Sequence, residues 1–192
     1  MVEQHDTVLK YTIDFKFTDR GSPVPLKAVI QTKTDGDPIS FAAKGKTSRF
    51  SVLSDTVAIQ GQKAYIHEGD NTYTKPLTGP AFPVAGYSPG TAQMLMLQYW
   101  KRHGRPSILS ILPSGSVQIR MDGLDTVNFN GQNLLLERYI IGGLIWGNEL
   151  VWADQRGQLY CLITNDAEGD KLEMMLEPYE SLLPVFIKKA AV

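Results

Sequence analysis

The chain has 192 residues, with 43% hydrophobic and 20% charged positions and a net charge of −1. That length can bury a sizeable core, the balance is that of a globular and not a disordered chain, and the evenly mixed charge carries no nucleic-acid footprint. Cys161 is the only cysteine, which excludes an intrachain disulfide, and no apolar run approaches the ~18 residues of a membrane-spanning helix.

Residues 11–18 alternate apolar and polar side chains without a break, which predicts a half-buried strand. Asp19-Arg20-Gly21-Ser22-Pro23 turns the chain, Leu26, Ala28 and Ile30 alternate with Lys27 and Gln31 on the next strand, and Asp35-Gly36-Asp37 forms the turn after it. Short strands are predicted over residues 39–43, 49–53, 56–60 and 63–67, each bounded by Gly, Asp or Ser. Turn signals thus recur about every 8–12 residues, the spacing of a meandering antiparallel sheet.

The pattern breaks over residues 77–90. Pro76, Pro80, Pro83 and Pro89 with Gly79, Gly86 and Gly90 cannot hold a ladder or a helix interior, yet Phe82, Val84 and Tyr87 make the stretch too apolar for a plain linker. A helix over 91–104 follows, with Ser88 as N-cap and Pro89 at the first helical position, or Thr91 as N-cap instead. Residues 94–100 are apolar nearly all round, which predicts burial; Gly104 and Pro106 end the helix, and Lys101, Arg102, His103 and Arg105 suit its C-terminal dipole.

Strands resume at 108–112, 117–121 and 126–129, with Ser114-Gly115, Asp122-Gly123 and Asn130-Gly131 as tight turns. Residues 133–165 hold three apolar runs separated by glycine-bearing turns, and 171–176 completes the strands, about eleven to thirteen in all. Residues 178–191 read as a closing helix kinked at Pro184. The expectation is a single mainly β (α+β) domain over 1–192, with N-terminal strands to residue 76, a Pro/Gly loop over 77–90, a central helix over 91–104, further strands over 107–176 and a terminal helix over 178–191. A long antiparallel sheet must curl, and an open curled sheet needs something in its concave face. The apolar helix is the one element suited to that, giving a half-barrel wrapped around a central helix.

Catalytic signals are absent. His5, His67 and His103 stand far apart, with no pair spaced to ligate a metal, and no Gly-X-Ser-X-Gly elbow or phosphate-cradling glycine pattern occurs. Asp122, Asp125, Asp154 and Asp166 fall in or beside turns, where aspartate is favoured by local bonding. Glu137 and Glu149 sit in apolar strand patterns; burial would raise them toward acid–base work, whereas a solvent face or a cation such as Arg138 would not. Cys161, among Leu159, Tyr160, Leu162 and Ile163, reads as a small buried hydrophobe. No catalytic residue, metal ligand or cofactor is therefore expected. The aromatic residues Phe82, Tyr87, Tyr99, Trp100, Trp146 and Trp152 are candidates to line an apolar cleft beside the Pro-rich loop, with core packing as the alternative.

The wording of several segments carries a resemblance. Glu137-Arg138-Tyr139, residues 143–149 (Gly-Leu-Ile-Trp-Gly-Asn-Glu), and Trp152-Ala153-Asp154 with Gly157 and Leu159 make one group. Residues 96–106, Ile111-Leu112-Pro113-Ser114-Gly115, Val117-Gln118-Ile119, Thr164-Asn165-Asp166-Ala167 and Glu177-Pro178-Tyr179-Glu180 extend it. Together they resemble the β-rich region in front of the metal-dependent catalytic domain of some secreted bacterial amidohydrolases, over residues 91–191 and only generally before that. The expected half-barrel is similar in shape to LolA-like lipoprotein carriers, an analogy of fold alone.

The resemblance implies a non-catalytic accessory or substrate-binding domain whose partner is an amidohydrolase catalytic domain, in the periplasm or outside the cell. Met1 to Asp6 shows no charged segment leading into an apolar one, so no signal peptide is read there. Two alternatives stand beside this: a stand-alone carrier of an apolar small molecule or lipid, and a small enzyme with an acid–base carboxylate in the sheet cavity.

Overall fold

The structure is a computed structural model and describes residues 1–85, 90–144, 147–165 and 171–190. Gly86, Tyr87, Ser88 and Pro89, Trp146, Asp166, Ala167 and Ala191 lie outside the described residues, so the Ser88–Pro89 start of the helix and two of the six aromatic candidates do too. As the turn spacing predicts, the protein is mainly β, its long strands pair antiparallel, and it has a C-terminal helix. The chain, read as one domain in sequence, packs as two compact units: Met1–Tyr99 with Leu109–Gly115, and Trp100–Ile108 with Ser116–Val192.

The first unit is built on an open antiparallel meander, in sequence order β1 (Val2–His5), β2 (Val8–Asp19), β3 (Ser22–Lys33), β4 (Pro38–Lys46), β5 (Val52–Gln60), β6 (Lys63–Glu68) and β7 (Asn71–Pro76). On β3, Val24, Leu26, Ala28, Ile30 and Thr32 are buried and their neighbours are not, the period-two pattern of a sheet with one covered face. Residues 49–53 and 56–60, predicted as two strands, are parts of the single strand β5 and the loop before it. Ser54 and Asp55 read as a break in sequence, but both hold the ladder, pairing with Lys44 and Ala43. The short strands β8 (Ala81–Pro83) and β9 (Leu109–Leu112) pair in parallel.

Helix α1 (Thr91–Arg102) begins in this unit, where Ala92, Leu95, Met96, Leu97 and Tyr99 are buried as the apolar run predicts. It ends with Gly104 at φ 79° and a hydrogen bond from the Arg105 amide to the Trp100 carbonyl, a Schellman termination.

The second unit holds β10 (Ser116–Phe129), β11 (Gln132–Gly142), β12 (Glu149–Ala153), β13 (Leu159–Asn165) and β14 (Lys171–Met175), each antiparallel to the next. Asn130 and Gly131, at φ 51° and 81°, make the predicted two-residue hairpin between β10 and β11. Asp122-Gly123, predicted as a second turn, is instead a bulge inside β10. The register slips by one residue between Met121 and Gly123, and Asp122 accepts hydrogen bonds from Arg120 and Arg138 that hold it there. The predicted closing helix is a 3-10 turn (Glu177–Leu182) followed by α2 (Leu183–Ala190), with Pro184 in the first turn of α2.

One face of this sheet packs Val127, Leu136, Trp152, Cys161 and Ile163 against Leu182 and Phe186 of the closing helical segment. The other face carries Tyr139, which meets the edge of the Trp100 indole at 6.1 Å between ring centres.

Candidate functional site

At one end of the first unit's meander lies a half-open cleft of about 730 Å³, well within the range of small-molecule sites. Three alternate chain reversals supply its walls because an antiparallel meander returns every second connection to the same end. The β3–β4 turn brings Lys33, Asp37, Pro38 and Ile39, the β5–β6 turn brings Ile59, Gly61 and Gln62, and the segment after β7 brings Leu77, Thr78, Gly79 and Ala81. Tyr99 of α1 completes the lining. Beneath it, Ile59 and Leu77 pack on buried Val57, Ala64, Ile66, Ala81 and Leu112. The cleft therefore has an apolar floor and a polar rim, where Lys33 Nζ stands 4.0 Å from the Asp37 carboxylate. Gly79 faces open space: a Cβ built there meets no atom within 4 Å.

The six aromatic residues singled out from sequence do not form one lining. Tyr99 borders the cleft, and Phe82, fully buried, packs behind it with ring centres 5.8 Å apart. In the second unit, Trp100 is buried against Tyr139 and donates its indole N–H to the Pro106 carbonyl at 2.8 Å. Trp152 is fully buried on the opposite sheet face, against Phe186, and donates to Asp125 Oδ2 at 2.8 Å. The register explains the split: Trp152 pairs with Arg138, so it shares a face with residue 138 and not with Tyr139. Both indoles are core aromatics with satisfied N–H groups. Tyr87 and Trp146 are outside the described residues.

Of the two carboxylates that sequence raises as acid–base candidates, Glu137 is held by a cation. Glu137 Oε2 accepts from Lys101 Nζ and from the Tyr139 hydroxyl, each at 2.6 Å, and Lys101 also reaches the carbonyls of Asp154 and Gln155. Burial acts to raise the Glu137 carboxyl, but Lys101 and Tyr139 outweigh it and hold it below the ordinary glutamate range. Burial, and then the bond to Glu137, pushes the Tyr139 hydroxyl well above its ordinary value.

Asp125, missed in sequence as more than a turn residue, is the other centre. It accepts from Lys189 at 2.7 Å, Trp152 at 2.8 Å and Arg138 at 3.3 Å. Here too burial works upward and is outweighed by Lys189 and Trp152, so the carboxyl lies below the ordinary aspartate range. Both groups are ionised acceptors at neutral pH, the opposite of the raised carboxyl that general-acid chemistry requires. Glu149 is buried at the start of β12.

Burial and then the charge of Glu173 push the Cys161 thiol up to about 12, so it behaves as the expected small hydrophobe. Among the described residues no three His, Cys, Asp or Glu side chains gather as a metal site would need, and no helix is long and apolar enough to cross a membrane. Comparison with protein-family models, with curated proteins and with solved structures finds no match to this chain.

Proposed function

We propose that this chain is a non-catalytic, ligand-binding β protein that takes an apolar small molecule into the cleft of its first unit, and that it serves as an accessory or substrate-presenting partner to an amidohydrolase. The observation that carries the binding reading is the cleft itself: about 730 Å³, with an apolar floor of Ile59, Leu77 and Ala81 and a rim of Lys33, Asp37, Gln62 and Thr78. A concavity with apolar side chains at its base and polar groups placed to orient an occupant has the form of a small-molecule site. The amidohydrolase association rests on the resemblance of residues 91–191, and a carrier acting alone would use the same cleft. The non-catalytic reading is supported by the carboxylates, since Asp125 and Glu137 are both committed to cations.

Titration with the neutral apolar fluorophore phenylnaphthylamine tests the binding reading. Saturable fluorescence enhancement is expected, with affinity falling at least about tenfold in Gly79→Phe, which adds a ring to the cleft's lining. Because Gly79 faces open space, that variant should unfold at the wild-type denaturant midpoint. Equal affinity in wild type and Gly79→Phe would overturn the assignment. An amidohydrolase coding region adjoining this one would support the partner; a lone coding region would favour the carrier.

A further inference from the structure

At the end of the first unit remote from the cleft, the tip of the β4–β5 hairpin leaves the ladders of its neighbours. The pairing of β3 with β4 stops at Leu26 and Gly45, and that of β5 with β6 begins at Asp55 and Glu68, so residues 46–54 pair only within their own hairpin. Gly45 sets the base: it lies so close to β3 that a Cβ would fall 2.3 Å from the Pro25 carbonyl oxygen.

The tip is chemically unlike the rest of the unit's surface. Phe50 is 85% exposed and Val52 82% exposed, the two most exposed large apolar side chains described. Water does not favour such a pair, and the loop does not present them through lack of structure. Ser48 Oγ accepts from the amides of Phe50 and Ser51, and the hydroxyls of Thr47 and Ser48 both bond that of Ser51. The loop is thus stitched in a shape that holds Phe50 outward.

Along the hairpin's own segment the charge has one sign. From Lys44 to Ser54 the chain carries Lys44, Lys46 and Arg49 and no carboxylate, within a protein whose net charge is −1. The Arg49 guanidinium lies 4.7 Å from the centre of the Phe50 ring, so cation and aromatic are presented together. The next carboxylate along the chain, Asp55, accepts the Gly69 amide.

We propose that this tip is a docking site for an anionic lipid bilayer, with Phe50 and Val52 entering the interfacial layer and Lys44 and Lys46 pairing with lipid phosphates. A bilayer offers both things the tip asks for, an apolar layer within about 5–10 Å of the surface and a sheet of negative charge above it. A soluble polyanion offers only the second, and an apolar protein groove only the first. The site is independent of the cleft, which lies at the opposite end of nine-residue strands, about 30 Å away.

Flotation of the whole chain with vesicles tests this. Vesicles of phosphatidylcholine mixed with phosphatidylglycerol should carry the protein at low salt, pure phosphatidylcholine vesicles should carry far less, and added salt should release it. Phe50→Ser should weaken binding about tenfold by removing the inserted ring, and Lys44→Gln with Lys46→Gln about 25-fold, near fivefold per cation. Circular dichroism should show both variants folded, since the altered side chains are not in the buried core. No flotation with the anionic vesicles, or flotation that Phe50→Ser leaves unchanged, overturns the proposal. So does a tip-dependent affinity for single-stranded DNA without vesicle binding.

Discussion

In the second unit, Asp125 and Glu137 lie against buried aromatics and draw Lys189 and Lys101 to 2.7 and 2.6 Å. In the first, Lys33 and Asp37 stand 4.0 Å apart, both partly exposed, at the mouth of a cleft. The same residue types therefore do different work. Where a sheet is covered on both faces, a charged group must find partners, because an unpaired charge in the interior costs several kcal/mol. Where a meander leaves one end open, polar groups can keep part of their water. Partner distance and enclosure, more than residue type, separate a fastening from a candidate site.

The comparison breaks first on the core. Trp100→Ala should destabilise the protein by about 3–5 kcal/mol, because the indole is buried against Tyr139 and its loss leaves a cavity. A chemical-denaturation midpoint equal to that of the wild type would show that Trp100 is peripheral.

Next in size is Asp125→Ala, which strands the Trp152 N–H and leaves Lys189 and Arg138 without their shared carboxylate. A loss of about 2–3 kcal/mol is expected, below the figure for a fully buried ion pair because both cations are partly exposed. The same denaturation experiment measures it, and a cost under about 0.5 kcal/mol would mean that the cluster is ornamental.

Acid should act through the same two carboxylates. Both have folded values below their ordinary 3.8 and 4.5, so their contribution is present above the unfolded values and is lost as pH falls through the folded ones. Stability should hold level from neutrality to about pH 5 and then decline, and Asp125→Asn with Glu137→Gln should flatten that decline. An acid slope unchanged in the double variant would assign it to other groups.

Smallest of all should be the effects of Gly79→Phe and Phe50→Ser, within about ±0.5 kcal/mol, since neither position packs into the core. A large loss in either would mean that the first unit's ends are structural and not open surface.

Sequence reading succeeded where the signal was local. Asn130-Gly131 can adopt the two positive φ values a tight hairpin needs, and it does; Gly104 ends α1 as its place in the chain suggests. It failed where a local signal was overruled by pairing. Asp122-Gly123 carries turn chemistry, but β11 continues opposite and converts it to a bulge, and the ladder with β4 carries Ser54 and Asp55 through as strand.

The candidate site was half legible for the same reason. A segment too apolar for a linker and too rich in Pro and Gly for a strand pointed to the loop over 77–90 with Phe82, Tyr87 and Tyr99. Leu77, Thr78, Gly79 and Ala81 of that loop and Tyr99 line the cleft, Phe82 packs behind Tyr99, and Tyr87 is outside the described residues. The facing wall of Ile39, Ile59 and Gln62 consists of ordinary strand and turn residues, brought together only by the meander's return. Lys101 and Glu137 lie 36 residues apart, and Asp125 and Lys189 lie 64 apart, so no spacing rule could pair them.

The most direct measurement is to map phenylnaphthylamine binding on the whole chain by amide chemical shifts. The account predicts perturbations concentrated at Ile39, Ile59, Gln62, Leu77, Gly79 and Tyr99, with residues of β11 and β12 unmoved. Shifts that cluster instead around Trp152 and α2, or that leave the cleft residues unmoved at saturation, would contradict it.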